Sequence, residues 1–240
     1  MKLKNKIKLA IAFFFLIVFI GIFIYSLYKI IVWKIDNDKT RDLTENIIET
    51  AKPEVTLDNK VSIDFDALRK QNSDVVGWIM VSNTYVNYPI VQYTDNDYYL
   101  HRSFDKTLNG AGWIFMDYRN HIDTLDNNTI IFGHGRKDGS MFGSLRNIMD
   151  ESWRNQKSNL DIMFTTLNDT YIFRIFSAYN INDTDDYLQM SFDQEFIDKI
   201  TERSYFDFPD KATANDKILT LQTCYNESKK LVIHAKLIEN

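Results

Sequence analysis

Leu9 to Tyr28 is a run of twenty residues without a charged side chain. At 1.5 Å per helical residue such a run reaches about 30 Å, the hydrocarbon thickness of a bilayer. This constrains the chain more than any other feature, because a fully apolar helix has no place on the surface of a water-soluble domain. Lys2, Lys4, Lys6 and Lys8 precede the run, and Lys29 and Lys34 follow it. The denser cationic flank is expected to stay in the cytoplasm and send the body outward. A cleaved signal peptide is the rival reading, but the run exceeds a typical h-region and no small-x-small site follows Ser26. The expected organisation is a cytoplasmic tail (1–8), a single-pass signal anchor (9–28), a stalk with an N-terminal helix (29–60) and an extracellular domain (61–240).

Charge is distributed to match. Residues 36–240 carry 22 basic against 33 acidic side chains, a net of −11 within an overall −5. So acidic a body suits phosphate backbones poorly, which excludes nucleic acid as a partner. With 45% hydrophobic residues and only 8 Gly and 3 Pro in 240, the body has the composition of a folded domain able to bury a core without disulfides. Its single cysteine, Cys224, cannot form an internal disulfide. A lone thiol on an exported domain is open to oxidation, so its presence asks for a reason beyond that of a small buried hydrophobe. The four histidines are scattered and neither HExxH nor CxxC occurs, so no metal and no cofactor are expected.

Leu43, Ile47 and Ile48 recur at helical spacing between Thr40 and Lys52, and Pro53 is expected to end that helix. Asp64 is placed to cap a short helix through Phe65, Leu68 and Arg69 that ends near Asn72. Strands are then predicted at 77–81, 85–91, 113–116, 129–132, 160–166, 171–179, 217–223 and 230–238. Pro89 marks an edge or bulge, Asn168-Asp169 a hairpin turn, and 225–229 a final turn. Helices are predicted at 144–155 and at 193–204, the latter with Phe196, Ile197 and Ile200 on one face. Seven or eight short strands with mostly local connections point to a closed antiparallel barrel or a sandwich.

A thiol nucleophile acts as its thiolate, which a neighbouring imidazole or cation favours. Cys224 closes the apolar strand Ile218-Leu219-Thr220-Leu221-Gln222-Thr223, and His134 closes Ile130-Ile131-Phe132 against Gly133 and Gly135. Both are strand-end positions, where rigid scaffolds commonly carry catalytic groups. Spacing does not make them neighbours, and a hydrogen-bonded structural histidine at 134 is the alternative reading of the residues alone.

Thr220-Leu221-Gln222-Thr223-Cys224 resembles the TLxTC signature of sortases, with Cys224 at the nucleophile position. Phe132-Gly133-His134-Gly135-Arg136-Lys137-Asp138-Gly139-Ser140-Met141-Phe142 resembles the segment that carries their catalytic histidine. The stretches 72–79, 88–92 and 97–100 resemble class B members, as does the helix between two late strands. The likeness spans roughly 60–240. It implies a mainly β, closed antiparallel sortase-type barrel of seven to eight strands, with N-terminal helices and a helix between two late strands. It also implies a membrane-anchored cysteine transpeptidase. Cys224 would attack a carbonyl, usually of Thr, in the C-terminal sorting signal of a secreted protein, with His134 protonating the leaving amine. The thioacyl-enzyme would pass to an amine of peptidoglycan or its lipid-linked precursor. Gln222, Thr223 and Tyr225 flank the nucleophile and are expected to line the substrate groove. Sortases carry Arg at the start of the strand after the Cys, and here that position is Lys230. Lys230 would stabilise the oxyanion as a point charge, or Arg136 or Arg174 would supply the cation. A weakened or silent peptide-binding barrel, or a pilin-polymerising enzyme, are the alternatives.

Overall fold

The computed structural model describes residues 2–56, 60–121, 124–182, 184–226 and 229–239, without the side chains of 2–4, 224–226 and 239. Two compact units emerge, 1–42 and 43–240. Helix α1 (Lys2–Ala51) contains a segment long and apolar enough to cross a membrane, none of it buried. Ala51 is its last residue, two before Pro53, as the proline requires. In the second unit its final turns bury Ile47 and Ala51 in the core.

A two-stranded ribbon, β1 (Glu54–Val55) with β2 (Val61–Ser62), precedes α2 (Phe65–Gln71). Asp64 caps α2 by accepting from Ala67 N at 2.9 Å. Eight further strands among the described residues close a barrel in the order β10-β8-β7-β3-β4-β5-β6-β9. They are β3 (Val75–Val81), β4 (Asn87–Val91), β5 (Phe115–Met116), β6 (Asn128–Phe132), β7 (Asp161–Thr166), β8 (Thr170–Ile181), β9 (Ile218–Asn226) and β10 (Lys229–Glu239). The barrel is not wholly antiparallel: β4–β5 and β6–β9 are parallel pairs. Parallel neighbours need long crossovers, and here the segments after β4 and β6 supply them.

Pro89 lies opposite Trp78 of β3. On its other side β4 meets β5 at Val91 alone, so the proline's missing N–H costs no ladder bond. The helix expected over 144–155 is divided into a 3₁₀ turn (Gly143–Met149) and α3 (Glu151–Arg154). Asp150 is extended there and caps α3 by accepting from Ser152 N. Helix α4 (Gln194–Glu202) starts at its Asp193 cap and buries Phe196, Ile197 and Ile200. That face joins Phe176, Tyr179, Ile218 and Val232 in a second apolar cluster on β8–β10, while Ile79, Phe164, Phe173, Leu221 and Ile233 belong to the main core. The final turn expected at 225–229 includes Glu227 and Ser228, which lie outside the described residues.

Candidate active site

Strands β6 and β9 run parallel in register from Asn128–Ile218 to Phe132–Gln222. The ladder closes with Gly133 N–H donating to Gln222 O at 3.2 Å. His134 and Cys224 each lie two residues beyond the last paired position, at the same end of adjacent strands, which stand about 4.8 Å apart. Spacing in the sequence did not relate them; the parallel register puts both at one end of adjacent strands. Gly133 is required for room rather than for a sharp turn. It does not occupy the left-handed region, and a Cβ there would lie 2.4 Å from Ile114 Cδ1.

The imidazole of His134 is fixed from two sides. Its Nε2 lies 2.8 Å from Leu100 O. A carbonyl oxygen only accepts, so Nε2 carries the hydrogen and the neutral ring presents its lone pair at Nδ1. Against the ring lies Gly112, with φ +59°, where a Cβ would fall 2.7 Å from His134 Cδ2. Behind it, Phe142 N–H donates to His134 O at 3.0 Å. Burial pushes the His134 pKa below that of an ordinary histidine, the Leu100 hydrogen bond opposes this, and the charges of Arg136 and His101 add to the lowering. Near neutral pH the ring is therefore a neutral base.

Lys230 stands directly opposite Cys224 across the β9–β10 ladder. One register step later Lys229 faces Asn226, so Tyr225 is the extra residue of a bulge, a device that re-aims side chains beside sites. The Lys230 ammonium donates to Asp185 Oδ1 at 3.1 Å. Arg174 pairs with Asp161 and Asp210. It lies in register with Lys236, six positions along β10 from Lys230, or roughly 20 Å at strand rise. Arg136 is nearer, two residues past His134, but its Nε and Nη2 are buried without a hydrogen-bond partner among the described residues. Those two nitrogens are out of reach of a substrate carbonyl, which leaves Nη1 as the nitrogen Arg136 could offer. Its Nε to Asp138 Oδ2 separation is 3.6 Å.

Gln222 is partly exposed on β9, whereas Thr223 is buried, with 3% exposure. The side chains of Cys224 and Tyr225 lie outside the described residues. Of the other histidines, His101 and His121 are exposed beside Asp97 and Asp126. His234 is wholly buried and bonded at both ring nitrogens. Thr220 Oγ1 donates to Asn128 Oδ1 at 2.8 Å, so it accepts from His234 Nδ1 at 2.9 Å. The Tyr179 hydroxyl then donates to Nε2 at 2.9 Å. Burial holds the pKa of His234 down to about 3, and it is a satisfied structural residue. Among the described residues no cluster of His, Cys, Asp and Glu could hold a metal ion.

The sequence reasoning missed Leu100, Gly112 and Asp185. Leu100 acts through its main chain, which no residue type announces. Gly112 carried a signal in Asn109-Gly110-Ala111-Gly112, a cluster of turn-forming residues.

A family model described as the sortase domain matches residues 79–238. The chain belongs to the sortase family. Sortase B of Listeria monocytogenes serovar 1/2a (strain ATCC BAA-679 / EGD-e) is 32% identical over 249 residues, covering 97% of this chain and 99% of that protein. Sortase B of Staphylococcus aureus (strain NCTC 8325 / PS 47) is 35% identical over 184 residues, covering 73% and 75%. Among solved structures, sortase B from Bacillus anthracis in complex with AAEK1 matches with a TM-score of 0.76 and 35% identity, covering 86% of this chain and 99% of that one. A Staphylococcus aureus sortase B–substrate complex matches with a TM-score of 0.71 and 31% identity, covering 86% and 97%. These relatives set this sortase in class B, a group of cysteine transpeptidases, and its closed barrel is the sortase-type barrel that the motifs implied.

Proposed function

We propose that this sortase is a membrane-anchored transpeptidase of exported proteins, with Cys224 as nucleophile, His134 as its acid–base partner and Lys230 as the oxyanion cation. The observation that supports the reading is the parallel β6–β9 register, whose last pair, Phe132 with Gln222, lies two residues before His134 on one strand and Cys224 on its neighbour. In the cycle, the Cys224 thiol gives its proton to Nδ1 of His134, the nitrogen left open by the Leu100 contact. The thiolate attacks the carbonyl carbon of a residue in a C-terminal sorting signal. The resulting oxyanion is met by the Lys230 ammonium and a backbone N–H. The C–N bond breaks as the His134 imidazolium protonates the departing amine. An amine of peptidoglycan, or of its lipid-linked precursor, then attacks the thioester and gives its proton back to His134, and the Cys224 thiolate departs. Gln222 and Tyr225 flank the peptide groove.

The Staphylococcus aureus sortase B–substrate complex supports a substrate groove in this barrel. The apolar helix with its lysine-rich N-terminal side supports an anchor at 9–28, a cytoplasmic tail at 1–8, a stalk at 29–60 and an extracellular catalytic domain at 61–240. The test is to incubate the full chain in detergent with a library of sorting-type peptides and a small amine, reading products by mass. Amide products joining the peptide to the amine are expected, and none should form with Cys224→Ala. Turnover by the folded Cys224→Ala variant, or an inert wild-type chain, would overturn the proposal.

A further inference from the structure

The replacement of the family arginine by Lys230 poses a geometric difficulty. A guanidinium is a planar fork whose orientation is largely built in, whereas an ammonium is a point charge on four rotatable carbons. Lys230 holds the ladder position opposite Cys224, yet strand pairing fixes its backbone and not its charge. The charge is fixed by a residue from another part of the chain. Nζ donates to Asp185 Oδ1 at 3.1 Å, from the segment that joins β8 to α4.

Residues 185–188 are firmly held. Asp186, the next residue, receives both terminal nitrogens of Arg203 at 2.8 and 2.7 Å and the ammonium of Lys199 at 2.8 Å. The Arg203 hydrogen bonds hold its carboxyl well below the usual carboxylate range. Tyr187 is fully buried, and Leu188 N–H donates to Asp185 O at 3.0 Å. Asp185 is therefore pinned by its neighbours while its own carboxylate stays open, with 72% side-chain exposure against 25% for Lys230. The nearby Arg119 donates to Asp117, at 2.8 and 2.7 Å, and reaches Asp185 only through its charge.

So open an ion pair adds little to stability. What it does fix is direction: among the described residues Asp185 takes one of the ammonium's three N–H donors, and the substrate oxygen would be met by another. We infer that Asp185 is a positioning residue, which holds the Lys230 ammonium at the Cys224 end of the β9–β10 ladder. Together the two residues do the work of the family's single arginine. This rests on the oxyanion role proposed for Lys230.

The experiment uses the full chain in detergent and, as probe, the library peptide that the wild type cleaves fastest. Lys230→Ala, Asp185→Asn, their combination, Lys230→Arg and Lys230→Arg/Asp185→Asn are compared by kcat, KM and Tm. Lys230→Ala should lower kcat/KM by on the order of 10²-fold, as loss of one oxyanion donor does. Asp185→Asn should lower kcat by about tenfold with KM and Tm nearly unchanged, the mark of lost orientation rather than lost binding or folding. It should add nothing to Lys230→Ala, and its effect should shrink below about threefold beside Lys230→Arg, whose fork orients itself. If Lys230→Ala is harmful and Asp185→Asn is silent or activating, the inference fails and the reading of Lys230 stands. An Asp185→Asn loss that persists undiminished in Lys230→Ala also overturns the inference, because Asp185 then acts elsewhere. A silent Lys230→Ala removes the oxyanion role and the inference together.

Discussion

Replacing Gly112 by alanine should disable His134 without touching it. Gly112 adopts φ +59°, and its added Cβ would fall 2.7 Å from His134 Cδ2, 2.8 Å from Leu100 O and 2.8 Å from Tyr99 O. Two of these atoms are main-chain oxygens, which cannot swing aside as the end of a side chain would. One of them is the acceptor that sets the tautomer of His134. The left-handed conformation alone costs a non-glycine residue about 1–2 kcal/mol. For a body of this size that corresponds to a fall in Tm of roughly 2–8 °C, and relief of the contacts adds to it. Relief means moving either the ring or the Leu100 carbonyl, and a displacement near 1 Å at a catalytic group costs on the order of 10²-fold in rate. Peptide cleavage at saturating substrate, paired with a melting curve, measures both. Wild-type kcat in Gly112→Ala would refute the argument that this close approach holds the imidazole. A lowered Tm with unchanged kcat would separate folding from catalysis and leave the backbone clash as its only consequence.

Acid should weaken the fold through His234. Its folded pKa, about 3, lies below the unfolded value near 6.5. Its contribution is therefore complete above about pH 6.5 and is lost as pH falls toward 3, by on the order of 1 kcal/mol per pH unit. Urea unfolding at pH 7, 6 and 5 should show that slope, reduced in His234→Gln to the share of His134, whose pKa is lowered in the same window. The lowered carboxylates, such as Asp117 and Asp138, lose their share only below about pH 3.8 and do not confuse this window. Cys224→Ala should abolish cleavage with a Tm near that of the wild type, and a drop of many degrees would instead make the cysteine a core residue. Protease added to wall-stripped cells should remove the acidic body and spare the lysine-rich N-terminus; protection of the body until lysis would reverse the orientation.

The barrel strands were legible because alternation and apolar runs are local, and so were the Asp64 and Asp193 caps, which act within one turn, whereas the two-residue strands β1 and β2 were too short to show a pattern. The parallel partners of β5 and β9 were not, since pairing across a crossover leaves no mark near either strand. At the candidate site the same division holds. Cys224 and His134 stood out by residue type and strand-end position, and Lys230 by its departure from the motif. The groups that hold them stayed hidden: a main-chain oxygen at Leu100, an absent side chain at Gly112, and Asp185, one of many acidic residues in an acidic body.

The parallel contact between β6 and β9 has a consequence for the order of events in folding. His134 and Cys224 are ninety positions apart in the chain, and no hairpin can bring such ends together. Closing so long a loop is entropically unfavourable until most of the barrel exists to reward it. Hairpins such as β7–β8 and β9–β10 can form early, so Lys230 meets the Cys224 strand while His134 is still distant. If the chain is exported unfolded, the thiol crosses the membrane before His134, its proposed base, is beside it. Reactivity would then arrive with the last seam of the barrel, and a chain stalled short of that seam would be chemically quiet.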